Sequence, residues 1–234
     1  FEFIPKKKEE GKIRHIGFSF HDSAAVLEEI LSKHPEVEFV QLQLNYADWE
    51  SENVQSRLCY ECARRHDVNV IVMEPVKGGT LAKMSDEIES KMRAVHPQAS
   101  TASWAMKFIG EKEGIITILS GMNSMEQMED NICTLDDPQP LTEEENRVIA
   151  EVVEIFNSAP RIACTACKYC VDGCPMKINI PRLFSVMNSF ATYGNLEGAK
   201  KSCAYATKES GKASECIQCG QCEGACPQHL PIIE

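Results

Sequence analysis

CTACKYCVDGCP at residues 164–175 and CIQCGQCEGACP at residues 216–227 decide the fold of the last third of this chain. Both stretches have the form C-x2-C-x2-C-x3-C-P, a spacing that wraps three thiolates round one face of a cubane iron–sulfur cluster. The fourth cysteine, followed by proline, usually ligates the other cluster of a pair. The two predicted ligand sets are Cys164, Cys167, Cys170 and Cys226 for one [4Fe–4S] cluster, and Cys216, Cys219, Cys222 and Cys174 for the other.

A zinc site or disulfide bonds would explain this cysteine pattern less well than iron–sulfur clusters do. A zinc site uses four nitrogen or sulfur ligands in two pairs, which gives no reason for a third and fourth cysteine at these spacings. Disulfides need an oxidising compartment, and nothing near the first residues resembles a secretion signal. We therefore expect two clusters in a cytoplasmic protein. The longest apolar runs are too short for a transmembrane helix, so we expect no membrane partner.

Charge is distributed unevenly along the sequence. The formal net charge is −11, yet residues 161–234 contain 8 lysines and arginines against 6 aspartates and glutamates. A [4Fe–4S] cluster with its thiolates is itself negative, so these basic residues offset cluster charge. The acidic remainder of the chain argues against a nucleic-acid partner.

Residues 13–132 alternate between strand and helix patterns. Strands are predicted at residues 13–20, 37–44, 68–74 and 115–120. Helices are predicted from a cap at Asp22 or Ser23 to before Pro35, and at residues 53–66, 100–110 and 125–132. Four such units predict parallel strands joined by crossover helices. Before them, residues 1–12 resemble the end of an exposed helix, interrupted at Pro5 and ended by Gly11.

Residues after the fourth unit predict a change of architecture. Two prolines in residues 133–141 indicate a linker, and Thr142 with Glu145 forms a capping box for a helix to about Phe156. Amphipathic segments at residues 183–190 and 196–206 predict helices between the cysteine motifs. The expected domains are residues 1–138, a linker helix at 139–160, and a cluster domain at 161–234. Four further cysteines without motif spacing are expected to pack in the core: Cys59, Cys62, Cys133 and Cys203.

The carboxyl ends of the predicted strands carry candidate binding residues. Gln41 and Gln43 alternate with apolar residues, so they face either a ligand site at the strand ends or a solvated edge. Gly78 and Gly79 follow the third strand, and Gly121 follows the fourth. Glycine turns in these places expose backbone N–H groups that suit a phosphate.

Four segments together resemble the second half of aldo/keto reductases, in the branch whose barrel is followed by a [4Fe–4S] ferredoxin-type domain. They are GKIRHIGFSFHDS (11–23), FVQLQLNYADW (39–49), VIVMEPVKGGTL (70–81) and ILSGMNSMEQMEDNI (118–132). The resemblance covers essentially the whole chain. It implies strands five to eight of a (β/α)8 TIM-type barrel followed by an α-helical ferredoxin-like domain.

The resemblance also implies a binding site for NAD or NADP. Ser19 and Gln41 match positions that contact the nicotinamide carboxamide, and Phe20 stands where the family has an amide. Met73 falls where an aromatic ring commonly stacks on the nicotinamide, and Gly78 and Gly79 lie in the pyrophosphate loop. The positions that match the adenosine end are Gly121, Met122, Gln127, Asp130 and Asn131. Gly121 and Gln127 replace the basic residues that bind a 2′-phosphate, which leaves NAD and NADP open.

The family's catalytic aspartate, tyrosine, lysine and histidine belong to the first half of the barrel, so no catalytic residue is assigned. The sequence opens at Phe1 and ends soon after Cys226, and we expect a fragment that is inactive in carbonyl reduction by itself. When complete, it is expected to be an oxidoreductase acting on a small carbonyl or alcohol. The alternatives are an electron-transfer module with the barrel as scaffold, served by a one-electron redox partner, and purely structural clusters.

Overall fold

The computed structural model describes residues 3–158, 162–193 and 196–234, and it forms two compact units, Phe1–Val153 and Glu154–Glu234. The first unit follows the predicted alternation of strands and helices. Its elements are α1 (Phe3–Glu9), β1 (Gly17–Ser19), α2 (Ala24–Lys33), β2 (Phe39–Gln43), α3 (Ser56–Arg65), β3 (Asn69–Met73), α4 (Asp86–Val95), α5 (Thr101–Gly110), β4 (Ile115–Ile118) and α6 (Met125–Leu135). Helix α7 (Glu143–Ser158) follows.

The four strands form one parallel sheet in the order β1-β2-β3-β4, as the alternation predicts. Ser19 pairs with Gln41, and Gln43 pairs with Met73. The first unit thus has an α/β fold, and the carboxyl ends of its successive strands lie beside one another.

The core lies between this sheet and its helices. Val40, Leu42, Val70 and Val72 are almost completely buried and alternate along β2 and β3, as expected for one apolar face of a sheet. Helices α2 and α3 contribute further buried residues, among them Leu27, Leu31, Cys59, Cys62 and Ala63. The predicted core positions of Cys59 and Cys62 are confirmed.

Several local expectations are wrong. Strand β1 begins at Gly17, not at Ile13, because the Ile16 N–H is bound by the Glu38 carboxylate (2.9 Å) rather than by a neighbouring strand. Pro5 does not interrupt α1, since it lies in the first turn, where its missing N–H leaves no bond unmade. Cys133 and Cys203 are exposed, because the buried positions of α6 and α10 are Asn131 and Ala206.

The second unit is helical. Its elements are α8 (Tyr169–Asp172), α9 (Ile180–Tyr193), α10 (Leu196–Ala206) and α11 (Gln221–Gly224). Helices α9 and α10 pack together, as do α8 and α11. Cys170, Ile178, Ile180 and Cys222 form a small buried cluster, and a parallel bridge joins Ile178 to Gly211. Both predicted helical segments between the cysteine motifs therefore form. None of the described helices combines the length and the apolar character that crossing a membrane requires.

Candidate cluster sites and strand-end site

The second unit contains a cavity lined by four cysteines. Three come from the first motif, Cys164, Cys167 and Cys170, and the fourth, Cys226, comes from the end of the second motif. Ile180, Phe184 and Leu230 supply apolar walls. The first predicted ligand set is therefore gathered in one place, including the member that is distant in sequence.

The backbones of the two motifs repeat each other. Each of three pairs of residues takes the left-handed conformation at equivalent positions: Ala166 (φ 58°) and Gln218 (φ 55°), Lys168 (φ 70°) and Gly220 (φ 75°), and Lys177 (φ 53°) and His229 (φ 50°). In both motifs a backbone N–H two residues after the first cysteine lies 3.4 Å from that cysteine's sulfur. Such turns aim consecutive N–H groups at one point and favour an anionic group there.

For the second predicted ligand set, the structure shows some of the four cysteines close to one another. Cys222 lies near Cys216, and Cys174 packs against the buried cluster that contains Cys222. Helix α11, which carries Cys222, packs on α8, which ends two residues before Cys174. Cys216 and Cys219 are exposed.

The thiols of these sites lie in surroundings that disfavour unpaired thiolates. Burial raises the pKa of Cys164 and of Cys222, and it raises the pKa of Cys170 to about 11, with a further contribution from nearby Cys164, Cys167 and Cys226. Four thiolates so close together repel one another unless a cation lies between them. An all-sulfur donor set at this spacing therefore fits an iron–sulfur cluster.

One buried residue of the cavity was missed by the sequence analysis. Gln228 also lines the cavity, is only 5% exposed, and has an Oε1 atom without a hydrogen-bond partner. Its polar character was visible in the sequence two residues after Cys226, but its burial was not.

In the first unit, three predicted contact residues lie side by side at the strand ends. The Gln41 amide Nε2 lies 3.3 Å from both the Ser19 hydroxyl and the Met73 sulfur, so it connects β1, β2 and β3. His21 approaches Ser19, with 3.3 Å between its Nε2 and the serine oxygen. Burial lowers the pKa of His21 and so favours the neutral ring. Phe20 is buried beside Phe18, and its side chain has no amide group.

The glycine loop after β3 is held by a buried polar network. Asp48 accepts hydrogen bonds from Gln43 Nε2 and Asn45 Nδ2, both at 2.9 Å, and forms an ion pair with Lys77. The Asn45 amide also donates to the Glu74 carbonyl at 3.1 Å. Gln43 thus faces neither an open site nor solvent. The network ties β2 to both ends of the segment Glu74–Lys77, and sequence patterns gave no sign of it.

That loop is preshaped and open. Glu74, Lys77, Gly78 and Gly79 all have positive φ, and a side chain built at Gly79 would meet nothing within 4 Å. Gly78 and Gly79 are exposed, so their backbone can be approached closely. The structure thereby leaves room for an anionic group beside the loop.

Residues after β4 form a third part of the strand-end site. The Asn131 amide reaches the Ser120 hydroxyl (3.0 Å) and the Met122 sulfur (3.4 Å), while Gln127 accepts a bond from the Asn123 N–H (2.8 Å). Asp130 accepts a hydrogen bond from the Ser100 hydroxyl (2.6 Å), which joins the N-cap of α5 to α6.

Comparison with known families accounts for both units. A model of the aldo/keto reductase family matches residues 1–154, and a 4Fe-4S dicluster domain model matches residues 163–230. The chain belongs to the aldo/keto reductase family. The matched stretch of this aldo/keto reductase contains the parallel sheet, and the dicluster match contains all eight motif cysteines.

Solved structures of aldo-keto reductases resemble the chain at low identity. A thermostable enzyme, Tm1743, crystallised with the inhibitor epalrestat, is 20% identical, with a TM-score of 0.51 over 64% of this chain and 53% of its own. The holo form of AKR11C1 from Bacillus halodurans is 21% identical (TM-score 0.47, 64% and 54% covered). A Klebsiella pneumoniae enzyme in complex with NADPH is 20% identical (TM-score 0.49, 70% and 55% covered).

The chain therefore spans about half the length of these solved relatives. A search of curated proteins gave no match.

Proposed function

We propose that this chain is part of an iron–sulfur oxidoreductase in which a nicotinamide cofactor binds at the strand ends and two [4Fe–4S] clusters bind in the cysteine unit. The observation that carries the proposal is the gathering of Cys226 with Cys164, Cys167 and Cys170 round one cavity. A thiolate donated from the second motif to the first is the arrangement that a two-cluster domain needs.

In this proposal the eight motif cysteines are divided by crossed ligation. Cys164, Cys167, Cys170 and Cys226 hold one cluster, and Cys216, Cys219, Cys222 and Cys174 hold the other. A bound cluster supplies single-electron transfer. The residues of the chain supply the thiolates, the N–H groups of the left-handed turns, and apolar walls that keep water away.

The strand-end residues are proposed to bind NAD or NADP in extended form. Ser19 and Gln41 would hold the carboxamide, and Met73 would pack on the nicotinamide ring. The N–H groups of Gly78 and Gly79 would bind the pyrophosphate, with the Asp48–Lys77 pair fixing the loop. Gly121, Met122, Gln127 and Asn131 would surround the adenosine end. Asp130 would support that end through Ser100.

The four strands are proposed to be strands five to eight of a (β/α)8 barrel. In the complete protein, the missing tyrosine would act as general acid in reducing a small carbonyl compound or oxidising the corresponding alcohol. The proposed domain limits remain residues 1–138, 139–160 and 161–234, with a cytoplasmic location.

Exposure of several motif cysteines favours a second candidate function, one-electron transfer. Cys167, Cys216 and Cys219 are exposed, so bound clusters would lie close to the surface, where a redox partner can approach. Hydride transfer moves two electrons together, whereas a cluster accepts them singly. The two candidates are separated by testing whether chemically reduced clusters pass electrons to a one-electron acceptor when no nicotinamide is present.

Metal analysis of anaerobically purified protein tests the cluster proposal. We expect brown protein with about eight iron and eight sulfide per chain, from two four-iron sites. Replacing Cys174 by alanine should remove the cluster built by Cys216, Cys219 and Cys222 and leave the other, whereas replacing the exposed Cys203 should remove neither. Colourless protein with two zinc ions per chain would overturn the proposal. Selective loss of the Cys164–Cys170 cluster would reverse the ligand assignment.

A further inference from the structure

The buried carboxamide of Gln228 has no described role. Its side chain is 5% exposed, it lines the cavity of Cys164, Cys167, Cys170 and Cys226, and its Oε1 atom lacks a hydrogen-bond partner. Buried polar groups in proteins are nearly always hydrogen-bonded, and exceptions point to strain or to a missing ligand. We therefore looked inside the cavity for a group that the Gln228 side-chain amide could bind.

The two cysteine motifs differ at the position of Gln228. Gln228 is the second residue after Cys226, and Met176 is the second residue after Cys174. The backbone is equivalent at both places, because the next residues, Lys177 and His229, have φ of 53° and 50°. Met176 packs against the buried cluster of Cys170 and Cys222. One motif therefore carries an amide where the other carries a thioether, which has no donor.

We propose that the Gln228 carboxamide donates an N–H hydrogen bond to the cluster held by Cys164, Cys167, Cys170 and Cys226, and that this bond makes that cluster the more easily reduced of the two. The inference rests on the proposed function, which supplies the clusters. Rotation of the amide by half a turn exchanges its oxygen and NH2 ends within nearly the same volume. An anionic cluster attracts the NH2 end and repels the oxygen.

The expected effect on reduction follows from charge. Taking up one electron makes the cluster more negative, so a fixed N–H donor stabilises the reduced state more than the oxidised state. Ile180, Phe184 and Leu230 line the same cavity, and their low polarity strengthens the interaction. Met176 offers no such donor in the other motif. Gln228 therefore sets the order in which the two clusters accept electrons.

A redox titration followed by electron paramagnetic resonance tests the proposal on the anaerobic, cluster-loaded chain. Gln228→Met makes the second motif resemble the first at this position, and Gln228→Leu removes the donor with a different shape. In both variants we expect the higher midpoint potential alone to fall, with the ratio of reduced to oxidised cluster at fixed potential lowered about tenfold, or about 59 mV for a one-electron couple. The matched control, Met176→Leu, should shift neither potential.

The outcomes distinguish this inference from the proposed function. Unloaded parent protein contradicts the proposed function, whereas loaded variants with both potentials unchanged overturn the role of Gln228. Should both variants lose iron, protein labelled with 15N at the glutamine side-chain amides, and not in the backbone, decides the question without substitution. A 15N coupling to the higher-potential cluster supports the hydrogen bond, and absence of that coupling refutes it.

Discussion

Two buried carboxylates in the first unit are each held by several hydrogen-bond donors. Asp48 is 4% exposed and accepts bonds from Gln43, Asn45 and Lys77. Glu145 is 1% exposed and is bound by Lys107, His96 and Thr142. Each carboxylate is surrounded by donors, which is the condition under which a buried charge is tolerated. Removing one partner of either group should therefore cost far more than removing an exposed ion pair.

Asp48→Asn should destabilise the first unit by about 3 kcal/mol, because it removes the buried carboxylate that pairs with the partly exposed Lys77 ammonium. Adding Lys77→Met should recover part of that loss, since the ammonium that has lost its main partner is then removed as well. Urea unfolding followed by tryptophan fluorescence measures this, as both tryptophans, Trp49 and Trp104, lie in the first unit. The control Glu50→Gln breaks an exposed pair with Arg57 and should cost less than about 1 kcal/mol. Equal losses in Asp48→Asn and Glu50→Gln would contradict the buried-pair argument.

Glu145 should make the first unit sensitive to acid. Burial by itself raises the pKa of this carboxyl, but bonds from Lys107, Thr142 and His96 outweigh burial and lower the pKa to about 2. Because the folded pKa lies below the ordinary value of 4.5, ionised Glu145 stabilises the fold above that value. This stabilisation, on the order of 3 kcal/mol, is lost as the pH falls from about 5 toward 2.

Glu145→Gln should therefore be less stable than the parent at pH 7 and lose less stability on acidification. Tryptophan fluorescence during urea unfolding at a series of pH values gives both quantities. Glu144→Gln is the matched control, since Glu144 is exposed and pairs with exposed Arg147 at 3.5 Å. A parallel fall of stability in parent and Glu145→Gln would exclude Glu145 as the acid-sensitive group.

At the scale of elements, the two cysteine motifs depend on a close backbone approach. A side-chain carbon at Gly211 would lie 2.1 Å from the Met176 carbonyl oxygen. The Gly211 N–H also donates to the Lys177 carbonyl at 3.0 Å, and Gly211 pairs with Ile178. The segment before the second motif is thus fastened directly to the residues after Cys174.

Gly211→Ala should push the Met176–Ile178 segment away and displace Cys174 from Cys222. Under crossed ligation the second cluster is then lost, and iron falls to about half of the parent value. Gly224→Ala is the control, because a side chain there meets nothing within 4 Å. Iron and sulfide analysis of anaerobically prepared protein measures the result. Full iron content in Gly211→Ala would show that the close contact between the Gly211 and Met176 backbones does not position Cys174.

The elements also show what the sequence could predict. Apolar periodicity predicted α2, α3 and α5, with an N-cap signal for α2, and a glycine turn predicted the start of α6. The Thr142–Glu145 capping box is confirmed by bonds of 2.7 and 3.2 Å. Helix α4 was missed because only Ile88 and Met92 of its ten residues are buried, so its apolar stripe is narrow. The cysteine spacing predicted the gathering of Cys226 with its partners. Networks such as Asp48–Lys77 and the buried amide of Gln228 depend on contacts distant in sequence, which local patterns do not encode.

At the scale of the whole molecule, we propose that the strand-end residues are only part of a reductase site. Ser19, Gln41 and Met73 lie together, and the proposed assignment to strands five to eight would put the family's catalytic residues on strands one to four. We therefore expect that the 234-residue chain does not oxidise NADH or NADPH with a panel of small aldehydes and ketones. Loss of a positioned acid alone lowers the rate by about 10²–10⁴-fold.

An extension that supplies the proposed strands one to four should give turnover, with a strong dependence on one tyrosine in the added part. The assay is nicotinamide oxidation with and without the extension, and a tyrosine-to-phenylalanine variant of the extension is the control. Robust turnover by the short chain would show that catalytic residues lie within it and that its match to the second half of the barrel is wrong.

The two outer edges of the parallel sheet affect how copies of this chain associate. Among the described residues, no strand pairs with the outer edge of β1 or of β4, and Ile116 and Leu119 at β4 are exposed. Two copies can remove these edges together if β4 of each lies beside β1 of the other, which closes a ring of eight parallel strands. Light scattering should then give twice the chain mass, whereas Ile116→Lys should give the mass of one chain. A series of species with masses of three, four and more chains would mean that the copies add end to end without closing the ring.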